Sequence, residues 1–370
     1  MKALSLVFSF LFLAAQAASA QQLDQEWLQS TVDEAFSEYE PVALGAAVAR
    51  LEGGVIVAVA GMTRKGSDAP AEPDQAWHIG SNTKALTALL YARLVDAGEA
   101  DWGASVADLF EGHVETIDPA WTDITIEDLF AHRSGVGQLG PGWLIARHAD
   151  SKSLPQQRLE TVERLLDAPP PSPTGAFEYS NLNYIVAGAA IELITGTSWR
   201  QAMKDYVFEV EGSDWSDGWG TGAPQTGLQG HRRNLFGFKQ SVGRGGGADN
   251  PGALGPAGTL HVPLETHARL LLEFVDPASR LITPAMRTRL FAPWPDETAV
   301  YAMGWGVQDD AVAGRVYAHA GSNTAWLSRA VLLPEFDAVI VVNSNEFTDA
   351  SRAATDAVVT SVSQKLAGAD

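Results

Sequence analysis

With 370 residues, 46% of them hydrophobic and 19% charged, the chain has ordinary globular composition and can bury a substantial core as one large domain or two closely joined ones. Its 45 acidic residues outnumber 25 Lys and Arg, and the formal net charge of −20 repels phosphate backbones and anionic lipid, so no nucleic-acid partner and no stable membrane insertion are expected. There is no cysteine, which excludes disulfides, thiolate nucleophiles and sulfur-ligated zinc.

The first twenty residues, "MKALSLVFSFLFLAAQAASA", carry one lysine, an apolar run and the small-residue signature Ala18-Ser19-Ala20. They read as a secretory signal peptide over 1–20, which predicts an exported, periplasmic or extracellular domain over 21–370. No later run is long and apolar enough to span a bilayer. "DQEWLQSTVDEAFSEY" has apolar residues at helical spacing, and "VALGAAVAR" and "GVIVAVAG" read as two strands turning at "LEGG". "WHIGSNTKALTALLYARL", residues 77–94, reads as an amphipathic helix with Ser81 in its first turn and Gly98 as its C-cap. A mostly helical pattern follows, broken by turns such as "LLDAPPPSPTG". From about residue 299 strands return at "YAMGWGVQ", "GRVYAHAG", "AWLSRAVLL" and "DAVIVVNSN", and a helix from about Ala350 closes the chain. Strands at both ends around a helical middle predict an α/β (α+β) sandwich. One antiparallel sheet from both termini is flanked by helices, with a sheet subdomain over about 21–100 and 255–370 and a mostly helical inserted subdomain over about 101–254.

Several chemistries are excluded on spacing. "GRGGGA" follows no apolar strand and precedes no helix, so residues 242–258 read as a flexible loop and not a phosphate cradle. The eight histidines show no metal-ligand spacing; His113, His132 and His148 read as surface or turn residues, and no metal or cofactor is expected. No serine has glycine at both −2 and +2, as a nucleophile elbow requires. In "SDWSDGWG", Trp215 and Trp219 read as packed loop aromatics and not as a sugar platform.

One constellation remains. Ser81 and Lys84 stand at i and i+3, on one helix face, so the lysine can reach the serine hydroxyl. A hydroxyl is a poor nucleophile until a base takes its proton, and a lysine desolvated in a cleft has its pKa lowered toward that task. The N–H groups of a helix start also favour negative charge developing near Ser81. Ser81 could equally be a helix cap, so the pair needs support. It comes from Tyr179 and Asn181, a Tyr-x-Asn in a polar turn before a helical run, and from "YAHAGSNTAW". There, strand alternation puts Arg315, Tyr317 and His319 on one face, with His319 pointing away from the apolar side and Gly321 allowing close backbone approach.

In chain order, Ser81-x-x-Lys84, Tyr179-x-Asn181 and His319-Ala320-Gly321 resemble the three motifs of the serine β-lactamase-related superfamily. More specifically, they resemble its class C β-lactamase, D-aminopeptidase and esterase branch of penicillin-recognising enzymes. "LFAHRSGVG" resembles that family's Leu-Leu-x-His-x-Ser-Gly turn, and "GPAGTLHVPLETHARLL" its Pro-Ala-Gly-Gly-Leu stretch. The resemblance covers nearly the whole mature chain and implies a β-lactamase/transpeptidase-like fold. It implies Ser81 as acylated nucleophile, Lys84 as its proton partner, and Tyr179 as second candidate base and proton donor to the leaving group. Asn181 would hydrogen-bond Lys84 or the substrate amide, and His319 would hold the place usually given to Lys or His. Backbone N–H groups of Ser81 and Ser322 would form the oxyanion hole. Whether Lys84 or Tyr179 first removes the proton stays open.

The third motif departs from the family in a way that bears on substrate. Its middle hydroxyl, which helps bind a carboxylate, is replaced by Ala320, and His319 supplies a weaker, pH-dependent charge than lysine. Ser322, Asn323, Thr324 and Arg244 are the candidates to compensate. The expectation is an exported serine hydrolase acting on esters, D-amino-acid amides or small peptides. The alternatives are a class C-like β-lactamase or DD-carboxypeptidase, and a non-catalytic binder of cell-wall peptide or a protein partner. The binder predicts loss of a motif residue, whereas Ser81, Lys84, Tyr179 and Asn181 are all present.

Overall fold

A computed structural model describes residues 23–213 and 215–368. The signal peptide expected over 1–20 lies outside the described residues. Asp24 accepts the Trp27 N–H at 2.9 Å and starts helix α1 (Gln25–Tyr39), which ends where Glu40 turns left-handed. Strands β1 (Ala43–Arg50) and β2 (Gly54–Gly61) form the expected antiparallel hairpin. The middle of the chain contributes helices α2 (Thr83–Asp96), α3 (Asn181–Thr195) and α4 (Leu264–Val275), among shorter ones. Four strands then follow, β3 (Gly306–Asp310), β4 (Gly314–Ser322), β5 (Leu327–Leu333) and β6 (Ala338–Ser344), before helix α5 (Asp349–Leu366).

The six strands make one antiparallel sheet in the order β2-β1-β6-β5-β4-β3. The two ends of the chain meet inside it, with Leu44 opposite Ser344 and Arg50 opposite Ala338. Strand alternation divides β1 between two cores. Leu44, Ala46 and Val48 pack with Leu28 and Val32 of α1 and Val358 and Val362 of α5; Ala43, Ala47 and Ala49 face Leu264, Ala268 and Leu271 of α4 and the helical region beyond. Because both faces are covered, β6 is a largely apolar run with every residue buried. This is the expected sheet from both termini flanked by helices. No helix among the described residues is long and apolar enough to cross a membrane.

Two local expectations are corrected. Helix α2 is not amphipathic: Thr83 to Ala92 and Leu94 are all buried, because helical segments pack around it, among them Gly255–Gly258, Pro284–Phe291, Lys204–Phe208 and α3. Residues 242–258 are not a flexible loop. After the exposed stretch from Arg244 to Gly247, the segment continues through 3-10 turns into the helical turn Gly255–Gly258, and Ala248, Asp249, Pro251 and residues 253–258 are buried. Pro251 and Pro256 fix the backbone there and buried polar bonds hold it. A small sheet of Ala76–His78, Leu260–Pro263 and Gly220–Thr221 lays this segment beside the turn carrying Ser81. Trp215 and Trp219 do pack: Trp215 Nε1 donates to the Val207 carbonyl at 2.9 Å, and Trp219 stacks on Phe208 at 4.3 Å.

Candidate active site

Ser81 lies in a 3-10 turn, Gly80–Asn82, that feeds directly into α2. The end of β4 is pressed against this turn. Gly80 has φ of 52°, and a Cβ on it would sit 2.3 Å from Ser322 N; a Cβ on Gly321 would sit 1.9 Å from the Ile79 carbonyl oxygen and 2.9 Å from Ser81 N. Only glycine fits on either side of that contact, which is the physical content of Gly321 in the third motif. Ser81 does not cap the helix; its Oγ accepts from Lys84 Nζ at 3.1 Å.

Lys84 is fully buried and its ammonium group has three neutral acceptors: Ser81 Oγ, Asn181 Oδ1 at 2.8 Å and the Ala257 carbonyl at 2.6 Å. Ala257 belongs to the segment expected to be loop. Burial without a carboxylate partner holds the Lys84 pKa well below the ordinary lysine range. The rings of Tyr179 and Tyr184 flank Nζ, 5.0 and 5.4 Å from their centroids.

Tyr179 and Asn181 straddle the start of α3, where Ser180 caps the helix by accepting the Leu182 N–H at 3.1 Å. Burial raises the pKa of the Tyr179 phenol above the ordinary tyrosine range, outweighing the opposite influence of the nearby Ser81, so it is a neutral phenol at pH 7. His132 packs beneath its ring at 4.3 Å. The expectation of a surface or turn histidine holds for His113 and His148, which are exposed, but His132 is a buried turn residue with φ of 61°. Its Nδ1 faces the Ser180 N–H at 3.3 Å and Asn183 Nδ2 at 3.0 Å, and Ser134 Oγ donates to Asn183 Oδ1. The turn in "LFAHRSGVG" therefore props the Tyr179 loop from behind, a role that its spacing in the sequence does not reveal.

On the third side, β3 pairs with β4 only as far as Gly306 opposite Ala318, so residues 319–322 keep one open edge. Arg315, Tyr317 and His319 share a face as alternation requires, but that face is covered at Tyr317 and His319 while Arg315 is half-exposed, and the opposite face is covered at Val316. His319 is buried, with Nδ1 3.2 Å from Asn82 Oδ1 and its ring near Tyr179 and Tyr301. Burial, and then the nearby charge of Lys84, push its pKa down to about 3, so it is neutral at pH 7. Arg244 donates to the Pro224 and Gly227 carbonyls at 2.8 and 2.6 Å, and Asn323 Nδ2 to Asp249 Oδ1 at 2.7 Å; Ser322 and Thr324 stay accessible. His78 and Asp249, bonded to each other at 2.9 Å beside the Ser81 turn, belong to none of the motifs read from sequence. Only the position of His78 three residues before Ser81 hints at the pair.

A serine bonded to a buried lysine at the edge of a sheet, between two helices and an open strand edge, defines the class: a serine hydrolase. Residues 28–363 match the family described as Beta-lactamase. A 160-residue stretch is 30% identical to an unguisins hydrolase of Aspergillus violaceofuscus (strain CBS 115571), covering 41% of this chain and 27% of that protein. Another of 171 residues is 29% identical to penicillin-binding protein 4 of Amycolatopsis lactamdurans, covering 44% of this chain and 42% of that protein. The matches thus span less than half the length of these curated relatives. Among solved structures, a D-amino acid amidase from Ochrobactrum anthropi SV3 superimposes with a TM-score of 0.71 at 16% identity over 92% of this chain and 98% of that one. A beta-lactamase from Sulfitobacter sp. EE-36 gives 0.70 at 21% identity over 92% and 99%. These structures share the fold. The chain belongs to the beta-lactamase family.

Proposed function

We propose that the protein hydrolyses esters, D-amino-acid amides or small peptides through an acyl-enzyme on Ser81. The observation that carries this is the bond from Lys84 Nζ to Ser81 Oγ in a buried site where, among the described residues, no carboxylate holds the lysine in its charged form. With its pKa depressed, Lys84 is available as the neutral amine; its two N–H groups then stay on Asn181 Oδ1 and the Ala257 carbonyl, its lone pair faces Ser81 Oγ, and it takes the Ser81 proton as Oγ attacks the carbonyl. The N–H groups of Ser81 and Ser322 receive the oxyanion. Tyr179, a neutral phenol beside Ser81, gives its proton to the leaving oxygen or nitrogen and regains one from Lys84. Its raised pKa makes it the proton donor and leaves the first step to Lys84. Water then releases the acyl group by the same transfers in reverse. Asn181 orients Lys84 through its Oδ1.

The preference for uncharged substrates rests on what surrounds the third motif. Ala320 has no hydroxyl, His319 is neutral and buried, and Arg244 and Asn323 are engaged by other groups, so a substrate carboxylate finds few donors. The similarity to an unguisins hydrolase supports hydrolysis, on a fold shared with a D-amino acid amidase. A class C-like β-lactamase or DD-carboxypeptidase is the alternative that nitrocefin and a D-Ala-D-Ala peptide test. The leader-like residues 1–20 support a reaction outside the cytoplasm, which N-terminal sequencing of exported protein checks. The central test is mass spectrometry after a fluorophosphonate probe. One adduct on Ser81, absent from Ser81→Ala, is expected; an unmodified wild-type Ser81 would refute the reading.

A further inference from the structure

Two segments supply the N–H groups proposed for the oxyanion hole, and one buried carboxylate is tied to both. Asp249 Oδ2 lies 2.9 Å from His78 Nε2, and His78 Nδ1 accepts the Gly80 N–H at 3.1 Å. Asp249 Oδ1 accepts from Asn323 Nδ2 at 2.7 Å and from the Asn250 N–H at 2.7 Å. Gly80 directly precedes Ser81 and Asn323 directly follows Ser322. All three side chains are buried.

The hydrogen-bond pattern fixes each group's orientation. His78 must keep a lone pair on Nδ1 to accept from Gly80, so Nε2 carries the proton and donates to Asp249. Asn323 Oδ1 accepts the Ala325 N–H at 3.1 Å, which turns Nδ2 toward Asp249. A buried carboxylate is costly unless it is fully bonded, and bonds to a charged acceptor are stiffer than neutral ones. Here those bonds reach across from residue 249 to two tight turns of backbone: the one at left-handed Gly80, and the one after Ser322, where Thr324 has φ of 71°.

We infer that Asp249 is a positioning residue that sets the separation of the Ser81 and Ser322 N–H groups, acting through His78 and Gly80 on one side and Asn323 on the other. This rests on the acyl-enzyme reading above. Oxyanion stabilisation needs donors held in place before the charge develops, and a shift well under the length of a bond weakens it. Asp249→Asn keeps the shape but turns one acceptor oxygen into N–H2, which opposes either His78 Nε2–H or Asn323 Nδ2, so one tie is lost. Asn323→Ala cuts the β4 side alone.

The test compares wild type, Asp249→Asn, Asn323→Ala and Ser81→Ala by fluorophosphonate acylation rate, kcat and KM on p-nitrophenyl acetate, phenylboronic acid affinity and thermal unfolding. In both positioning variants, acylation rate, kcat and boronate affinity should fall by about tenfold to a hundredfold, while KM changes less than about threefold. Folded variants that acylate and bind the boronate like wild type, whatever their Tm, would overturn the inference in favour of a plain structural tie. Failure of both variants to fold would overturn it for the same reason. A wild type that is not acylated, or a Ser81→Ala protein that reacts as fast, overturns the acyl-enzyme reading and the inference with it, and is told apart because it shows without any change at 249 or 323.

Discussion

Lys84 Nζ stands 3.1 Å from Ser81 Oγ and shares its remaining hydrogen bonds with two neutral oxygens, those of Asn181 and Ala257. A carboxylate in either place would hold the ammonium charged; without one, burial favours the amine. Ser81→Ala should therefore abolish p-nitrophenyl ester hydrolysis while leaving thermal unfolding near wild type, and Lys84→Met should cost about a hundredfold or more in kcat. The lysine pKa is depressed in the fold and ordinary, 10.5, in the unfolded chain, so the unfolded state binds more protons between those values. Wild-type stability should rise with pH across that window and fall as pH drops toward the depressed value. Lys84→Met lacks this dependence, so its Tm advantage over wild type should widen as pH falls. A constant difference would place the lysine pKa in its ordinary range.

Tyr179→Phe deletes one hydroxyl and keeps the ring that packs on His132 at 4.3 Å. Stability should hardly change, while kcat should fall by about a hundredfold, since the leaving group loses its proton donor. The loss should be smaller for p-nitrophenolate, which leaves well unprotonated, than for an amide or anilide. Equal losses on both would remove Tyr179 from the leaving-group step.

His267, on α4, is wholly buried and neither ring nitrogen has a hydrogen-bond partner among the described residues. Burial pushes its pKa down to about 3, against an ordinary value of 6.5. The unfolded chain therefore takes up a proton between those values, and the fold loses stability as pH falls through that window. At pH 4.5 the single group costs about 2 to 3 kcal/mol at most. His267→Leu should remove this loss. Urea unfolding should show the variant gaining on wild type from pH 7 to pH 4.5; parallel curves would mean that His267 is not a neutral buried ring.

The sheet and the three motifs were legible in the sequence because strand alternation, helix spacing and fixed motif offsets are all local. The failures share a cause, which is burial supplied by distant segments. His319 alternates as expected, yet Tyr179 and Tyr301 cover its face, and α2 lacks the polar stripe of a surface helix because both its sides are packed. Residues 242–258 look like loop by composition, but His78 and Asn323 reach Asp249 from 171 and 74 positions away. His132 is the turn residue it reads as, but its burial depends on Asn183, 51 positions on. No window of sequence contains those partners.

Ala320 decides the last prediction, because it is where a substrate carboxylate would meet a hydroxyl. It sits half-buried on the stretch of β4 that β3 leaves unpaired, next to the accessible Ser322. His319 beside it is uncharged above about pH 3 and turned into the protein, so it offers such a carboxylate no cation at neutral pH. Penicillins and D-Ala-D-Ala peptides should therefore be turned over poorly beside neutral esters and D-amino-acid anilides. Ala320→Thr should raise kcat/KM for carboxylate-bearing substrates by about tenfold, the worth of one hydrogen bond to a charged group at about 1.5 kcal/mol, and leave the neutral ester unchanged. Nitrocefin, a D-Ala-D-Ala peptide, a D-amino-acid anilide and p-nitrophenyl acetate, run on both proteins, measure it. A wild type that already prefers nitrocefin by orders of magnitude would sink the argument from Ala320 and leave the β-lactamase reading in its place.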